Sequence, residues 1–569
     1  MLQKGNTGMS NKHQVLVIGL DGATFAILQP LIKQGKLPHL AELQQKGSWG
    51  TLTSTVPPVT APAWASFMTG VNPARHGVFN FFKRDLSGYA YEETAGFVHA
   101  DLVRSPTLWD ILSQVGKRVG IVNVPLTYPP RPVNGFMISG MLTPPSTPSF
   151  TYPPELGKQL NGYQIDLDHT RTEKGFNQDA HLGEAELLQR VNVMLDHRAE
   201  HCLRLMTAEK WDCFVVVFVG TDRLFHELWH YLDPSCAAYS SAQGKKIRQA
   251  VETYLGRLDT VVGQLRNAAG PEAITIVMSD HGFGPAPEKR VNLNDWLAEQ
   301  DLLHVAKSGR SWLKAEFWAT SLGLRRPAIK RMLKRWVPLR LLRRAASDKK
   351  GRRKVPADWD QTRAYAVQMY NHICGIEINL KGRKRRGIVE PGAEYEQLRD
   401  LLLARLTHLR DPETGVQVVR TAHRREEIFD GEFLDQSPDI VIELDPTYAG
   451  LSPLGNGRIV TPHNLHRQGD HRQEGIFLAQ GPNIVPGIVF PSPNITDLTP
   501  TILYALGVPV PRRMDGRVLV ETFDADYVTT HPISYDDADL QMVRDKEDVY
   551  SAEEMVEISD RLRSLGYVD

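Results

Sequence analysis

Uninterrupted apolar runs that end at an acidic or imidazole residue recur along this chain. Residues 15–20 are apolar throughout or glycine and stop at Asp21; residues 214–219 are followed by Asp222, and residues 274–278 by Asp280-His281. A run with no polar alternation predicts a strand covered on both faces, as in a parallel sheet between helix layers. Behind Asp21-Gly22 the spacing of Leu28, Leu31 and Ile32 predicts a helix, and residues 119–124 repeat the strand pattern after a helical stretch at 108–112. Residues 244–266 have a polar helical pattern between the strands predicted at 213–219 and 274–278. Strand alternating with helix argues for an α/β fold with a mostly parallel central sheet flanked by helices.

The pattern changes at 307–354, where Lys and Arg dominate and Trp312, Trp318, Leu333, Trp336, Leu339, Leu341 and Leu342 interleave with them. Strand candidates at 375–380 and 439–444 and a helix at 394–409 follow, before the main sheet resumes at 476–479. Residues 497–507 open on Asp497, keep helical spacing and stop at Gly507, which reads as a capped helix. These changes divide the chain into a flexible N-terminus (1–14), a core (15–300 and 460–525), an inserted cap region (301–459) and a C-terminal extension (526–569). Met555, Ile558, Leu562 and Leu565 give that extension one amphipathic helix, able to pack on the body or on a partner.

A chain of 569 residues exceeds the usual single domain, in keeping with a large core that carries an insertion. Lys plus Arg and Asp plus Glu both number 66, so a globally basic nucleic-acid binder is excluded and charge has to be read regionally. Segment 307–354 is then a substrate-covering cap or a contact for anionic lipid or nucleic-acid phosphates. Cys202, Cys213, Cys236 and Cys374 form no CxxC pair, which suits free thiols in a reducing compartment. The polar start of the chain lacks an apolar signal region, and no apolar stretch is long enough for a transmembrane segment, so a cytoplasmic protein is expected. Oligomeric state has no signature here.

Polar residues at the carboxyl ends of parallel strands converge on one crevice, and carboxylates with imidazoles gathered there are ligands for divalent metal. Asp21, Asp222, His226, Asp280, His281 and His471 are placed to do this. Asp222 and His226 are one helical turn apart, and Gly282 gives the backbone freedom for adjacent Asp280 and His281 to act together. Two ions about 4 Å apart suit phosphoryl transfer, one activating a nucleophile while both neutralise the transferred group. Thr60 follows a Pro-rich turn and precedes a helical run at 65–68, so its hydroxyl stands near a helix N-terminus, where a phosphate oxygen is stabilised. The same residue also reads as a plain N-cap threonine. His76 reads as a turn residue and His463 and His466 as ordinary surface or core histidines, while His230, a turn beyond His226, could line the pocket.

Taken in order, Gly19-Leu-Asp21-Gly22, Thr60-Ala-Pro62, the segment from Thr69-Gly70 to His76-Gly77, Asp222-Arg-Leu-Phe-His226, Ser279-Asp280-His281-Gly282 and Gly469-Asp-His471 resemble the type I phosphodiesterase / nucleotide pyrophosphatase family of the alkaline phosphatase superfamily. The resemblance implies an alkaline-phosphatase-like core and hydrolysis of phosphodiester or pyrophosphate bonds in a small phosphate-ester substrate. It implies two divalent ions, zinc or alternatively manganese, one among Asp21, Thr60, Asp280 and His281 and the other among Asp222, His226 and His471. Thr60 would attack phosphorus and form a covalent phospho-threonine. A phosphate-binding asparagine is implied five positions after His76; Phe81 stands there and Asn80 one place earlier. Thr60-Ala-Pro-Ala-Trp64 lacks the Cys or Ser that sulfatases require. Two further readings are a phosphomutase of the same superfamily, disfavoured by Thr60 and by the late insertion, and a non-catalytic metal-stabilised module that binds anionic partners.

Overall fold

The computed structural model describes residues 13–89, 96–167, 171–172, 175–176, 183–306, 357–452, 454–455, 457–463, 467–537 and 549–565. The basic, tryptophan-containing segment 307–354 and His466 lie outside the described residues, as does nearly all of the N-terminal stretch.

A nine-stranded sheet runs through the core in the spatial order Val489–Phe490, Ser48–Thr53, Glu474–Gln480, Ala273–Met278, Gln14–Leu20, Cys213–Phe218, Val119–Val124, Gly135–Ser139, Thr151–Tyr152. The five strands from Ala273–Met278 to Gly135–Ser139 are mutually parallel. Glu474–Gln480 runs antiparallel to both of its neighbours. Ala273–Met278, Cys213–Phe218 and Val119–Val124 are buried at every position, as their unbroken apolar runs require of strands covered on both faces. Two helix groups provide the cover: Pro38–Lys46, Glu184–Ala208, Gly220–Leu232 and Ala242–Ala269 pack together, and Thr60–Thr69, Leu108–Gln114 and Leu498–Ala505 pack together. The C-terminal helix Ala552–Ser564 packs on the body, with Ile558, Leu562 and Leu565 joining the main apolar cluster.

The inserted unit has its own apolar cluster, reaching from Val291 to Val460, so its packing begins some residues ahead of the composition change. Its antiparallel sheet has the order Ala364–Tyr370, Ile373–Ile378, Ile440–Leu444, Val419–Arg424, accompanied by the helix Ala393–Leu406. A small third cluster joins the two bodies: Ala74 and Phe79 of the core meet Met369, Ile373, Phe429 and Val441 of the insert.

Long-range capping fixes one of the covering helices. Pro38–Lys46 begins at Leu37, which offers no side-chain cap, and the missing acceptor comes from Asp259 in Ala242–Ala269, whose carboxylate accepts from His39 N at 3.0 Å and Leu40 N at 2.8 Å. Asp259→Ala is expected to lower stability by about 1–2 kcal/mol, read as the shift of the urea unfolding midpoint, with Asp259→Asn losing less because its amide oxygen still accepts.

Candidate metal centre

The residues named from strand ends meet in space. Asp21 follows Gln14–Leu20, Asp222 and His226 occupy the first two turns of Gly220–Leu232, and Asp280-His281 follow Ala273–Met278. His471 lies in Gly469–Arg472, which pairs antiparallel with Gly282–Pro285 so that His471 stands opposite Phe283. Thr60 is the first residue of Thr60–Thr69, preceded by Val59 as N-cap, so its hydroxyl sits at the helix N-terminus without being the cap. All seven side chains are buried.

Side-chain to backbone hydrogen bonds interlock the loops that carry them. Thr221 Oγ1 donates to Asp21 O at 2.5 Å, Ser54 Oγ to Asp280 O at 2.5 Å and Ser279 Oγ to Ala23 O at 2.8 Å. Gly22 N donates to Asp280 Oδ1 at 3.2 Å from a left-handed backbone (φ 68°), and a Cβ there would stand 2.6 Å from Phe283 Cε2, so glycine is required on both counts. Phe283 in turn packs its ring edge-on against His226 and His471, with centroids 4.7 and 5.1 Å away.

The histidine tautomers follow from their partners. His226 Nδ1 lies 3.1 Å from Gly469 O, His471 Nδ1 2.9 Å from Pro58 O and His281 Nδ1 3.2 Å from Gly282 O. A carbonyl oxygen only accepts, so each Nδ1 carries the proton and each neutral ring turns an Nε2 lone pair inward. Two of these, on His226 and His471, are 2.9 Å apart. Facing lone pairs at that distance repel unless a cation lies between them or one ring is protonated. Asp222 Oδ1 is 3.3 Å from His226 Nε2, 3.2 Å from His471 Nε2 and 4.0 Å from His281 Nε2. His281 Nε2 is also 3.3 Å from Asp280 Oδ2, 3.8 Å from Asp21 Oδ1 and 3.4 Å from Thr60 Oγ1. Two groups within metal-ligand spacing result, Asp222 with His226 and His471, and Asp21 with Asp222 and His281.

Charge in this cage is unbalanced. Burial, followed by the charges of Asp280 and Asp222, raises the Asp21 carboxyl well above its usual range; burial and then Asp222 do the same to Asp280. Asp222 is held well below its usual range although burial opposes it: His226 and His471, when either ring is protonated, and Arg223 favour its ionised form. Burial pushes His226 and His471 down to about 4 and His281 well below its ordinary value, so none of the three imidazoles readily supplies positive charge. Among the described residues, Asp21 Oδ1 and Asp280 Oδ2 accept no hydrogen bond, while Trp64 Nε1 occupies Asp21 Oδ2 at 3.2 Å. Buried carboxylate oxygens without donors, beside inward lone pairs, are the donor set of a divalent cation.

Neither residue read as a substrate contact belongs to these groups. Asn80 Nδ2 donates to Met369 O at 2.9 Å and its Oδ1 accepts from Phe81 N at 2.6 Å, which ties the core to the insert. His230 is half-buried against Tyr231, with Glu184 as the charge acting on it. His76 is a buried turn residue whose Nδ1 accepts from Val78 N at 3.1 Å, leaving Nε2–H to donate to Ser66 Oγ at 2.9 Å. Sequence patterns pass over three features that complete the centre. Arg223 bridges Asp222 to buried Asp166. Tyr370 stacks on His471 with centroids 4.8 Å apart. Asn371 Nδ2 donates to Asp470 Oδ1 at 2.7 Å, and His372 Nδ1 lies 3.6 Å from Asp470 Oδ2. Of these, Arg223 and Asp470 have a signal in the sequence, their places beside Asp222 and His471.

A family model described as type I phosphodiesterase / nucleotide pyrophosphatase matches residues 15–471. Among solved structures, the chain is similar to murine ectonucleotide pyrophosphatase / phosphodiesterase 5 at 13% identity, covering 90% of this chain and 100% of that one with a TM-score of 0.47. It is also similar to phosphonoacetate hydrolase from Sinorhizobium meliloti 1021 at 14% identity, over 87% of this chain and 95% of that one with a TM-score of 0.43. With its large, mostly parallel sheet between helices, and with the family match spanning the strand-end residues from Asp21 to His471, the chain belongs to the type I phosphodiesterase / nucleotide pyrophosphatase family and is a phosphohydrolase of the alkaline-phosphatase-like α/β fold.

Proposed function

We propose that the protein hydrolyses phosphodiester or pyrophosphate bonds in small phosphate-ester substrates through a covalent phospho-threonine on Thr60. The observation that supports this reading best is the meeting of Thr60 with His281, Asp21, Asp222 and Asp280 at the positive end of a buried helix. Asp21, Thr60, Asp280 and His281 would hold one divalent ion, and Asp222, His226 and His471 a second; nitrogen and carboxylate donors favour zinc, with manganese the alternative. When bound, such ions supply Lewis-acid charge that lowers the pKa of the attacking hydroxyl and of water and neutralises the transferred phosphoryl group.

Thr60 Oγ1 forms the new bond to phosphorus and the leaving oxygen departs opposite to it. The helix N-terminus directs free backbone N–H groups at the phosphoryl oxygens. Water then attacks phosphorus on the face vacated by the leaving group, the P–O bond to Thr60 breaks, and the threonine is regenerated. Phe283 and Tyr370 keep bulk water from the imidazoles they cover. The inserted unit, docked through Asn80 and Met369, acts as the cap that borders the leaving group. Four unpaired cysteines support a cytoplasmic location. Among the described residues no helix is long and apolar enough to cross a membrane.

Thr60→Ala is expected to abolish turnover of an aryl phosphodiester while purified protein keeps about two zinc equivalents, measured by elemental analysis; full activity in this variant overturns the mechanism. The charge imbalance gives a second test. Asp280→Asn removes one of three clustered carboxylates yet keeps the acceptor for Gly22 N. In chelator-treated protein this variant is expected to unfold later than wild type, by ~1 kcal/mol or more. In excess zinc the order reverses, because the variant has lost a ligand. Denaturant melts in the two buffers check both signs.

A further inference from the structure

Asp222 is the residue common to both candidate ligand groups, and its two oxygens have different surroundings. Oδ1 faces the three Nε2 atoms, whereas Oδ2 receives Arg223 Nη1. The rest of that guanidinium is held from behind. Arg223 Nε donates to Asp166 Oδ1 at 3.0 Å and Nη2 to Asp166 Oδ2 at 2.6 Å, a two-pronged pair, while Met141 Sδ lies 3.9 Å from Nη2. Asp166 is itself oriented by Leu167 N, which donates to its Oδ1 at 2.8 Å. Side-chain exposure along Asp222, Arg223 and Asp166 is 0%, 2% and 1%, so solvent screens none of these charges.

A charged fork of this kind fixes both direction and distance, because two N–H groups of one rigid guanidinium bond the two oxygens of the Asp166 carboxylate. With Oδ2 pinned, Asp222 cannot turn to offer both oxygens to one ion. From the Asp222–Arg223–Asp166 geometry we infer that Arg223 and Asp166 are positioning residues that make Asp222 a single-oxygen ligand, with Oδ1 directed to the ground shared by the two metal positions. The inference rests on the metal reading above. Asp166 sets how strongly Arg223 draws on Asp222: with its fork filled by Asp166, the arginine takes one oxygen and leaves the other its ligand charge. Without Asp166, more of the buried positive charge falls on Asp222 and competes with the ion for it.

The test uses full-length protein stripped of metal, titrated with zinc against a chelating competitor and, separately, loaded with cobalt(II) for visible absorption. Asp166→Asn is expected to weaken zinc binding at the Asp222–His226–His471 position about 10-fold or more, while the position among Asp21, Thr60, Asp280 and His281, which Asp222 only borders, loses less. The double variant Asp166→Asn with Arg223→Met removes both buried charges of the clamp together and frees Oδ2; it is expected to bind cobalt with the weaker visible absorption of a higher coordination number. This variant decides the matter if Asp166→Asn alone does not fold, since it leaves no unpaired arginine in the interior. Zinc affinity and cobalt spectra equal to wild type, with only the melting temperature lowered, would assign the triad a purely structural role and overturn the inference. A wild type that takes up no zinc overturns the metal reading itself, and the inference falls with it.

Discussion

The structure depends on one electrostatic problem: three carboxylates and three inward-facing imidazoles are buried together at the end of a sheet. Taking such groups out of water is costly unless opposite charge goes with them. The protein on its own answers by placing Arg223 on Asp222 and by leaving Asp21 and Asp280 prone to take up protons. A divalent cation answers it differently, because it lets every carboxylate remain ionised and every imidazole remain neutral. Binding of such an ion and stability of the fold would therefore be linked in the same residues.

A set of groups that repel one another cannot assemble itself, so the scaffold must hold it. Besides the contacts on Asp21 Oδ2, Asp222 Oδ2 and Asp280 Oδ1, the ligand loops are anchored through backbone carbonyls, by Thr221 on Asp21, Ser54 on Asp280 and Ser279 on Ala23. Among the described residues, Asp21 Oδ1 and Asp280 Oδ2 are thereby kept clear of donors. Each imidazole is aimed by a carbonyl on its other nitrogen, and Phe283 fills the space that would let His226 and His471 swing apart. Gly22 makes the tightest of these turns at no steric cost, and its N–H orients Asp280.

Much of this was legible in the sequence because it depends on local periodicity. Strands covered on both faces are apolar at every position, so their ends are visible, and Asp21, Asp222 and Asp280 mark those ends. His226 could be paired with Asp222 from the pitch of a helix alone. What could not be read depends on register between distant segments. Asp166 lies in a polar stretch with no period, and its partnership with Arg223 depends on Glu184–Ala208, which holds that stretch through Arg198 Nη2 on Gln164 O and Ile165 O and packs beside Gly220–Leu232. Asn80 fits the motif order nearly as well as a substrate contact would, but the neighbouring insert strand offers Met369 O and takes its amide. The extent of the insert's packing is hidden for a similar reason: Val291 to Leu303 carry no basic bias and share an apolar cluster with Tyr365 and Ile376.

His471 differs from the other ligands in lying on a two-stranded ribbon outside the main sheet, so two bodies fix its position. From the core, Pro58 O takes its Nδ1 proton; from the insert, Tyr370 covers its ring while Asn371 and His372 hold the preceding Asp470. The tip that does this is itself pinned, since Gly450 N donates to Asn371 O and Leu444 N to His372 O, both at 2.8 Å. The first of these bonds comes from Tyr448–Leu451, which pairs with Lys289–Asn292 at the entry to the insert, and the second from the insert's four-stranded sheet. The strand that carries Tyr370 is also tied to the chain that leads into it, since Ala366 N donates to Asn294 Oδ1 at 2.7 Å and Ala364 N to Leu302 O at 3.2 Å, and a one-residue slip between Ala364–Tyr370 and Ile373–Ile378 would turn Tyr370 away and remove one of the two supports of a candidate metal ligand.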